Sequence, residues 1–303
     1  MGMVLVPRRD GIVIWGTAML SIKSRDGQCF LASATRDNIV RLRFFSELAG
    51  SLTTDAFVVA SGPSVNNFPF DNYRNHPFIA MNGSILACDK HGIRPYFYIC
   101  DDESFAKDRA EIALLGLKRA EHIGMSFAVL CRLYAVDPGC LKGLSVFLLQ
   151  RANRFLDRPN LSHRAFAWSI RKDPDLHSSF SIFSASRNRI GFSMNLDKGY
   201  FVARTIPYVA LQLCYQLGCP RAFMLGVDMN PTEGRFYESG EGAAPSDIDG
   251  SFKKIILPSF KFLRQKIIKE GVFEVYNLSA ESRIPSEVID KIDLDTLGGM
   301  LKR

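Results

Sequence analysis

Short apolar runs alternate along the chain with loops of Gly, Ser, Asn and Asp. Runs at Phe57–Ala60, Phe78–Met81, Tyr96–Cys100, Phe127–Cys131 and Ser145–Leu149 have the length and boundaries of strands buried on both faces. Between them, Ile85–His91 and Ala106–Leu117 carry helical spacing, and His91-Gly92 ends the first. The pattern resumes with a helix at Ile206–Leu217, a strand at Ala222–Val227, a helix at Phe260–Glu270 and a strand at Phe273–Leu278. This order predicts an α/β fold: a Rossmann-like, mostly parallel sheet with helices on both faces.

Two segments depart from the alternation. Residues 1–50 form an N-terminal strand/helix extension. Met1–Ala34 reads as short strands, with a hairpin turning at Asp26-Gly27 and Cys29–Ala34 returning. Asn38–Leu48 places apolar residues at Ile39, Val40, Leu42, Phe44, Phe45 and Leu48, which predicts a helix stopped by Gly50. Residues 151–198, rich in Arg, Ser, Asn and Phe, show little periodicity and are expected to form a lid-like insertion in a domain spanning 51–303.

Composition narrows the function classes. Of 303 residues, 47% are hydrophobic, enough for a sizeable core, and 23% are charged, which argues against wholesale disorder. The net charge of +7 is uneven: Arg151–Arg189 holds eight Arg or Lys against three Asp. Such a segment is either an ordinary solvated surface or a seat for an anionic partner. It lacks the aromatic interleaving and fold motifs of nucleic-acid binders, so no nucleic acid is expected. Seven cysteines without a CxxC pair support neither a zinc site nor a disulfide framework, and fit buried thiols in a reducing cytoplasm. No histidine follows His177 and no HxH or HExxH occurs, so no metal site is assigned. No apolar run is long enough to span a bilayer. Arg8-Arg9 ahead of Gly11–Leu20 imitates a signal peptide, but Lys23, Arg25 and Asp26 interrupt it before Ala32-Ser33-Ala34, and the hairpin reading fits better.

The candidate chemistry sits where strands end. Gly62, Pro63 and Ser64 follow the first run, where glycine permits a tight turn and serine can cap a helix or bind phosphate. Asn82-Gly83 follows the second, either as a reader of base or ribose or as a plain turn. Asp101-Asp102-Glu103 follows the third, as a cation site, a source of general base, or a helix cap. Asp228 ends the Ala222–Val227 strand, and Arg235, Tyr237, Glu238 and Glu241 follow in a Gly-rich loop.

The segments VVASGPSV, MNGS, TIPYVALQLCYQLGCPRAFMLGVDMN and VYNLSAESRIP, within roughly Asp55–Lys291, together resemble the bacterial sialyltransferase family that decorates surface lipooligosaccharide. They also resemble the related motility-accessory glycosyltransferases and archaeal-type hydroxymethylpterin pyrophosphokinases. The resemblance implies a nucleotide-sugar-binding domain with a lid, a CMP-activated nonulosonate donor, and inverting transfer that needs no metal or other cofactor. It implies an anionic glycan or glycolipid acceptor such as lipopolysaccharide, met in the cytoplasm with peripheral contact at the inner membrane. Gly62, Pro63, Ser64, Asn82, Gly83, Arg204, Thr205, Asp228 and Tyr237 would then bind the donor. Two departures matter. The family's Ser-Gly after the threonine reads Ile206-Pro207, and its catalytic histidine beyond the Gly-Val-Asp strand has no counterpart. The base must therefore be another group, and Asp102, Glu103, Asp247 and Asp249 are the candidates. Two alternatives remain: a magnesium/ATP-dependent pterin-type diphosphokinase using Asp101–Glu103 for the cation, and a non-catalytic nucleotide- or glycan-binding relative.

Overall fold

The computed structural model describes residues 13–16, 20–25, 28–33, 39–230, 232, 234–238 and 248–302. Its N-terminal strands β1 (Val13–Gly16), β2 (Ser21–Arg25), β3 (Gln28–Ala32) and β4 (Val40–Arg43) pair antiparallel in sequence. Next come β5 (Ala56–Val59), β6 (Phe78–Met81), α1 (Ile85–Lys90), β7 (Phe97–Cys100), α2 (Glu103–Asp108), α3 (Ala110–Arg119), β8 (His122–Met125), α4 (Phe127–Val136) and β9 (Ser145–Leu148). An excursion follows with α5 (His163–Ser169) and the antiparallel pair β10 (Leu176–Ser178) and β11 (Gly191–Ser193). The chain ends with α6 (Ile206–Leu217), β12 (Arg221–Leu225), α7 (Ile248–Ser251), α8 (Leu257–Lys266), β13 (Glu274–Asn277), β14 (Asp290–Lys291) and α9 (Leu294–Leu301).

The main sheet runs β1-β2-β3-β4-β9-β8-β7-β6-β5-β12-β13-β14. Every pairing from β4 to β14 is parallel, so the expected mostly parallel α/β sheet is observed. Its central strands are buried on both faces. Ala56, Val58, Ile79 and Ile99 face one core, while Phe57, Val59, Ala80 and Tyr98 face the other. That is why these strands read as unbroken apolar runs rather than alternating ones.

Helix α6 occupies the bounds expected from its spacing. Pro207 sits in its first turn, where a missing N–H costs nothing, and Gly218 ends it in the left-handed region at φ +87°. The excursion is fastened to it by Gln212, which is fully buried. The Gln212 amide oxygen accepts the Ser193 and Phe201 N–H groups at 3.0 and 2.9 Å, and its nitrogen donates to the Phe201 and Tyr208 carbonyls at 3.0 Å each. Gln216, one turn on, accepts the Leu196 N–H at 2.7 Å.

Several expected elements are corrected. Phe127–Cys131 is the start of α4, and the strand lies earlier at His122–Met125. Asn38–Leu48 holds strand β4 and a 3-10 turn at Phe45–Leu48 instead of a helix. Along β4, Val40 and Leu42 are buried, Arg41 is exposed and Arg43 half-buried, a period of two set by its neighbours β3 and β9. The helix expected over Ala106–Leu117 is two helices, α2 and α3, broken at Arg109. The N-terminal hairpin is present as β2 against β3, with Asp26-Gly27 outside the described residues. Among the described residues, no helix is long and apolar enough to cross a membrane.

Candidate active site

Strands β5 and β12 are neighbours, but the chain continues from β5 to β6 on one side and from β12 to β13 on the other. Loops leaving such a pair diverge at the carboxyl edge of the sheet and leave a crevice. Here they remain joined at their base: Ala60 N–H donates to Leu225 O and Gly62 N–H to Gly226 O, both at 2.8 Å. A Cβ on Gly62 would overlap the Asp228 carboxylate and lie 2.5 Å from Gly226 O.

Ser64 lies in the 3-10 turn Pro63–Asn67 and links three loops. Its N–H donates to Asp228 Oδ2 at 3.0 Å, its hydroxyl donates to Asp228 Oδ1, and Ser279 Oγ is 2.8 Å from Ser64 Oγ. Ser279 Oγ accepts the Val227 N–H at 3.1 Å, and Ser282 Oγ donates to Val227 O at 2.6 Å. Asp228 is buried. Ser64 engages both its oxygens, so it holds the loop after β5 in place. A cleft lined by Ser64, Asn67, Phe68, Gly226 and Leu278 adjoins this knot.

Asn82, Gly83 and Tyr237 form a second group. The Tyr237 ring lies so close to Gly83 that a Cβ there would overlap it. Burial pushes the Tyr237 phenol up to about 12, so the hydroxyl is neutral at physiological pH. Phe236 N–H donates to Ser61 O at 3.0 Å, which ties this loop to the one after β5. Asn82 accepts the Tyr98 hydroxyl on its backbone oxygen at 3.0 Å. Its side-chain Oδ1 and Ser126 Oγ are the two buried side-chain polar atoms, among the described residues, without a hydrogen-bond partner.

Arg204 and Thr205 open α6 beside Met229. Thr205 Oγ1 is 4.0 Å from Met229 Sδ, and Arg204 Nε is 3.4 Å from Ser251 Oγ. Among the described residues, the non-glycine residues with positive φ are Asn82 (+44°), Arg204 (+59°) and Met229 (+58°). All three sit in loops at this edge. Such backbone conformations are costly and persist where surrounding structure over-determines them, commonly at functional sites. Arg283 joins the same group. Its N–H donates to Asp228 O at 2.9 Å, and its guanidinium donates to Met229 O at 3.3 Å and Asp249 Oδ1 at 2.7 Å.

The three acidic residues after β7 have three different partners. Asp101 accepts Arg151 Nε and Nη2 at 3.1 and 2.8 Å, and the Tyr200 hydroxyl, all on Oδ2. Burial disfavours the Arg151 charge, but Asp101 outweighs it and holds the guanidinium's pKa above its ordinary value. Asp102 caps α2 by accepting the Phe105 N–H at 3.0 Å. Glu103 pairs with Arg132 at 2.7 Å. Among the described residues, no group of three or more His, Cys, Asp or Glu side chains is placed to hold a metal ion.

The structure therefore joins Gly62, Pro63, Ser64 and Asp228 in one knot, Asn82, Gly83 and Tyr237 in a second group, and Arg204, Thr205 and Asp249 around Met229 and Ser251. Asp102 and Glu103 lie at α2 with partners of their own, the Phe105 N–H and Arg132, and Asp247 and Glu241 lie outside the described residues. The Asp101–Arg151–Tyr200 cluster and the roles of Arg283 and Ser279 were not expected. Their partners are separated by tens of residues, and only the acidic run and the local basic excess hinted at the first.

A parallel sheet with a crevice where its strand order reverses defines a doubly wound α/β protein. The family model of the 3-deoxy-D-manno-octulosonic acid transferase WaaZ matches residues 46–295, and the chain belongs to that family. It is a glycosyltransferase. It is similar to a probable 3-deoxy-manno-octulosonic acid transferase of Escherichia coli strain K12, with 24% identity over 82% of this chain and 86% of that protein. A protein of the same description from Salmonella typhimurium strain LT2 is 25% identical over 82% of this chain and 91% of that one. A solved structure, the MAf glycosyltransferase of Magnetospirillum magneticum AMB-1, aligns with TM-score 0.44 and 17% identity over 81% of this chain and 34% of that chain. The expectation of a glycosyltransferase is met, and the matched family is described by an octulosonic acid rather than a sialic acid.

Proposed function

We propose that the protein transfers 3-deoxy-octulosonate from a CMP-activated donor to a hydroxyl of a lipopolysaccharide core saccharide. One observation carries the reading: in a chain of this family, the Ser64–Asp228–Ser279 knot fixes the loops after β5, β12 and β13 against one another at the switch point of the sheet, where a nucleotide is expected. The octulosonate is an acidic 2-keto sugar, the same donor chemistry as the expected nonulosonate with one carbon fewer. The acceptor oxygen forms a bond to the anomeric carbon while the bond from that carbon to the phosphate oxygen breaks. CMP leaves with the electron pair, and the acceptor's proton passes to a carboxylate. Attack opposite the leaving group inverts the centre, and no metal is required when cationic side chains and loop amides steady the phosphate.

In this reading the loop Gly62–Ser64 and Gly83 approach the nucleotide. Asn82 Oδ1, buried without a partner, accepts a donor hydrogen bond. Arg204 and Thr205 stand at the phosphate, and Tyr237 closes over it. Of the carboxylates considered, Asp249 is held toward this edge through Arg283, and we assign it as the base. Asp249→Asn is expected to lower kcat by roughly 100- to 10,000-fold while leaving donor binding intact, as read by CMP release and thermal shift. Glu103→Gln removes only an exposed ion pair and should change stability by about 1 kcal/mol or less, with the rate unchanged. A large loss of rate in Glu103→Gln, with Asp249→Asn active, would transfer the assignment to α2.

The donor class is tested by thermal shift with CMP, CDP, UDP, GDP and ATP, each with and without magnesium, because a ligand that binds only the native state raises Tm. Stabilisation by CMP without magnesium supports the proposal. Stabilisation by ATP with magnesium alone would replace it with the diphosphokinase reading, and no shift with any nucleotide would replace it with a non-catalytic one.

A further inference from the structure

The excursion between β9 and α6 carries an exposed apolar surface that the site does not use. Leu161, Trp168, Phe180, Ile182 and Phe183 are all exposed, and Phe183 is 98% exposed. These are five of the nine exposed large hydrophobic residues among the described residues, so the surface is concentrated rather than scattered. Trp168 packs against Phe180 at 5.2 Å between ring centroids, and the Arg171 guanidinium lies 3.9 Å from the Trp168 ring centroid.

The tip bearing Ile182 and Phe183 is built to present them. Asn188, itself buried, accepts the Ser181 N–H on Oδ1 and donates to Ser181 O, both at 2.8 Å. Ser181 Oγ accepts the Phe183 and Ser184 N–H groups at 3.3 and 3.1 Å. Ser179 N–H closes the base of the loop on Ile190 O at 2.9 Å. The backbone is thus tied off internally while two large apolar side chains remain in water, an arrangement that marks an interaction surface.

The charge of the segment is predominantly positive. Arg154, Arg158, Arg164, Arg171, Lys172, Arg187 and Arg189 are all exposed. The three aspartates of the segment are already paired: Asp157 with Arg158, and Asp173 and Asp175 with Lys198. Exposed apolar side chains at a tip in an arginine-rich segment match the interface of an anionic bilayer, where acyl chains take the former and headgroup phosphates the latter. A soluble acidic glycan would use the arginines but leave Ile182 and Phe183 without a partner.

We propose that the 161–189 surface docks the protein on an anionic phospholipid bilayer, inserting Ile182 and Phe183. Docking stands independently of the glycosyl transfer, and its test needs neither donor nor acceptor. The full-length protein would be sedimented with vesicles of phosphatidylethanolamine and phosphatidylglycerol, and with phosphatidylcholine vesicles. Binding is expected only to the anionic vesicles and should weaken as salt rises. The double variant Ile182→Ser/Phe183→Ser should lower partitioning by about tenfold or more, with unchanged Tm, and Arg171→Glu/Lys172→Glu should lower it by a similar factor. Val136→Ser, which removes an apolar residue exposed to 60% elsewhere, should have no effect. Absence of binding, equal binding to neutral vesicles, or equal binding by the tip variant would overturn the proposal. So would a tip variant whose only effect is to split a dimer in sedimentation velocity, which would make the surface a self-association face.

Discussion

Gly62→Ala is expected to cost about 3 kcal/mol or more, with Tm lower by about 5 °C or more, and to abolish stabilisation by CMP. The new Cβ has no free volume. It meets the Asp228 carboxylate, which the Ser64 N–H and hydroxyl fix in place, and the Gly226 carbonyl, which accepts the Gly62 N–H. Relief requires the loops after β5 and β12 to part, and that breaks the geometry that shapes the crevice. The same substitution at Gly298 is the control. It lies in α9, where a Cβ would find nothing within 4 Å, so Gly298→Ala should stabilise by up to about 1 kcal/mol through helix propensity. Two thermal melts with and without CMP decide it. A Gly62→Ala protein with unchanged Tm and an unchanged CMP shift would show that the knot is neither rigid nor near the nucleotide.

Gln212→Leu has the second large expected effect, and it acts far from any substrate. The substitution is close in volume, so packing changes little. It removes the acceptor of the Ser193 and Phe201 N–H groups and the side-chain donor to the Phe201 carbonyl, all in a buried setting. Each buried group left without a partner costs roughly 1–3 kcal/mol. A total loss near 3–5 kcal/mol is expected, together with faster proteolysis between Arg151 and Ala203, where the excursion loses its fastening to α6. Wild-type resistance to proteolysis in the variant would mean that the excursion is held by its other contacts alone.

Much of this was legible in the chain. The β6 bounds and the α6 bounds follow from apolar run length and spacing, because burial on both faces suppresses every competing signal. Strand β8 was hidden because its sequence, HIGM, opens on a half-buried histidine and contains Gly124, which weakens a strand pattern. The more apolar run behind it, Phe127–Cys131, belongs to a helix whose far face meets the same core. Strand β4 is disguised in the sequence, because apolar residues at Ile39, Val40 and Leu42 satisfy a helical window as readily as the true two-residue period. At the site, local signals located loop ends such as Gly62 and Asn82, but the partners that define them come from distant segments. Ser64 meets Ser279 across 215 positions and Tyr200 meets Asp101 across 99, and no local pattern carries such distances.

Strands β5 and β12 are also pinned at their opposite end. The Arg221 guanidinium makes a two-pronged pair with Asp55 at 2.9 and 2.6 Å and donates to Met300 O at 3.2 Å. Parallel neighbours tied both where they enter and where they leave the sheet cannot splay. Any closure around a bound molecule must then come from peripheral segments, such as the one bearing Tyr237. Hydrogen–deuterium exchange should accordingly find the amides of β5 and β12 among the last to open, whether or not a nucleotide is present.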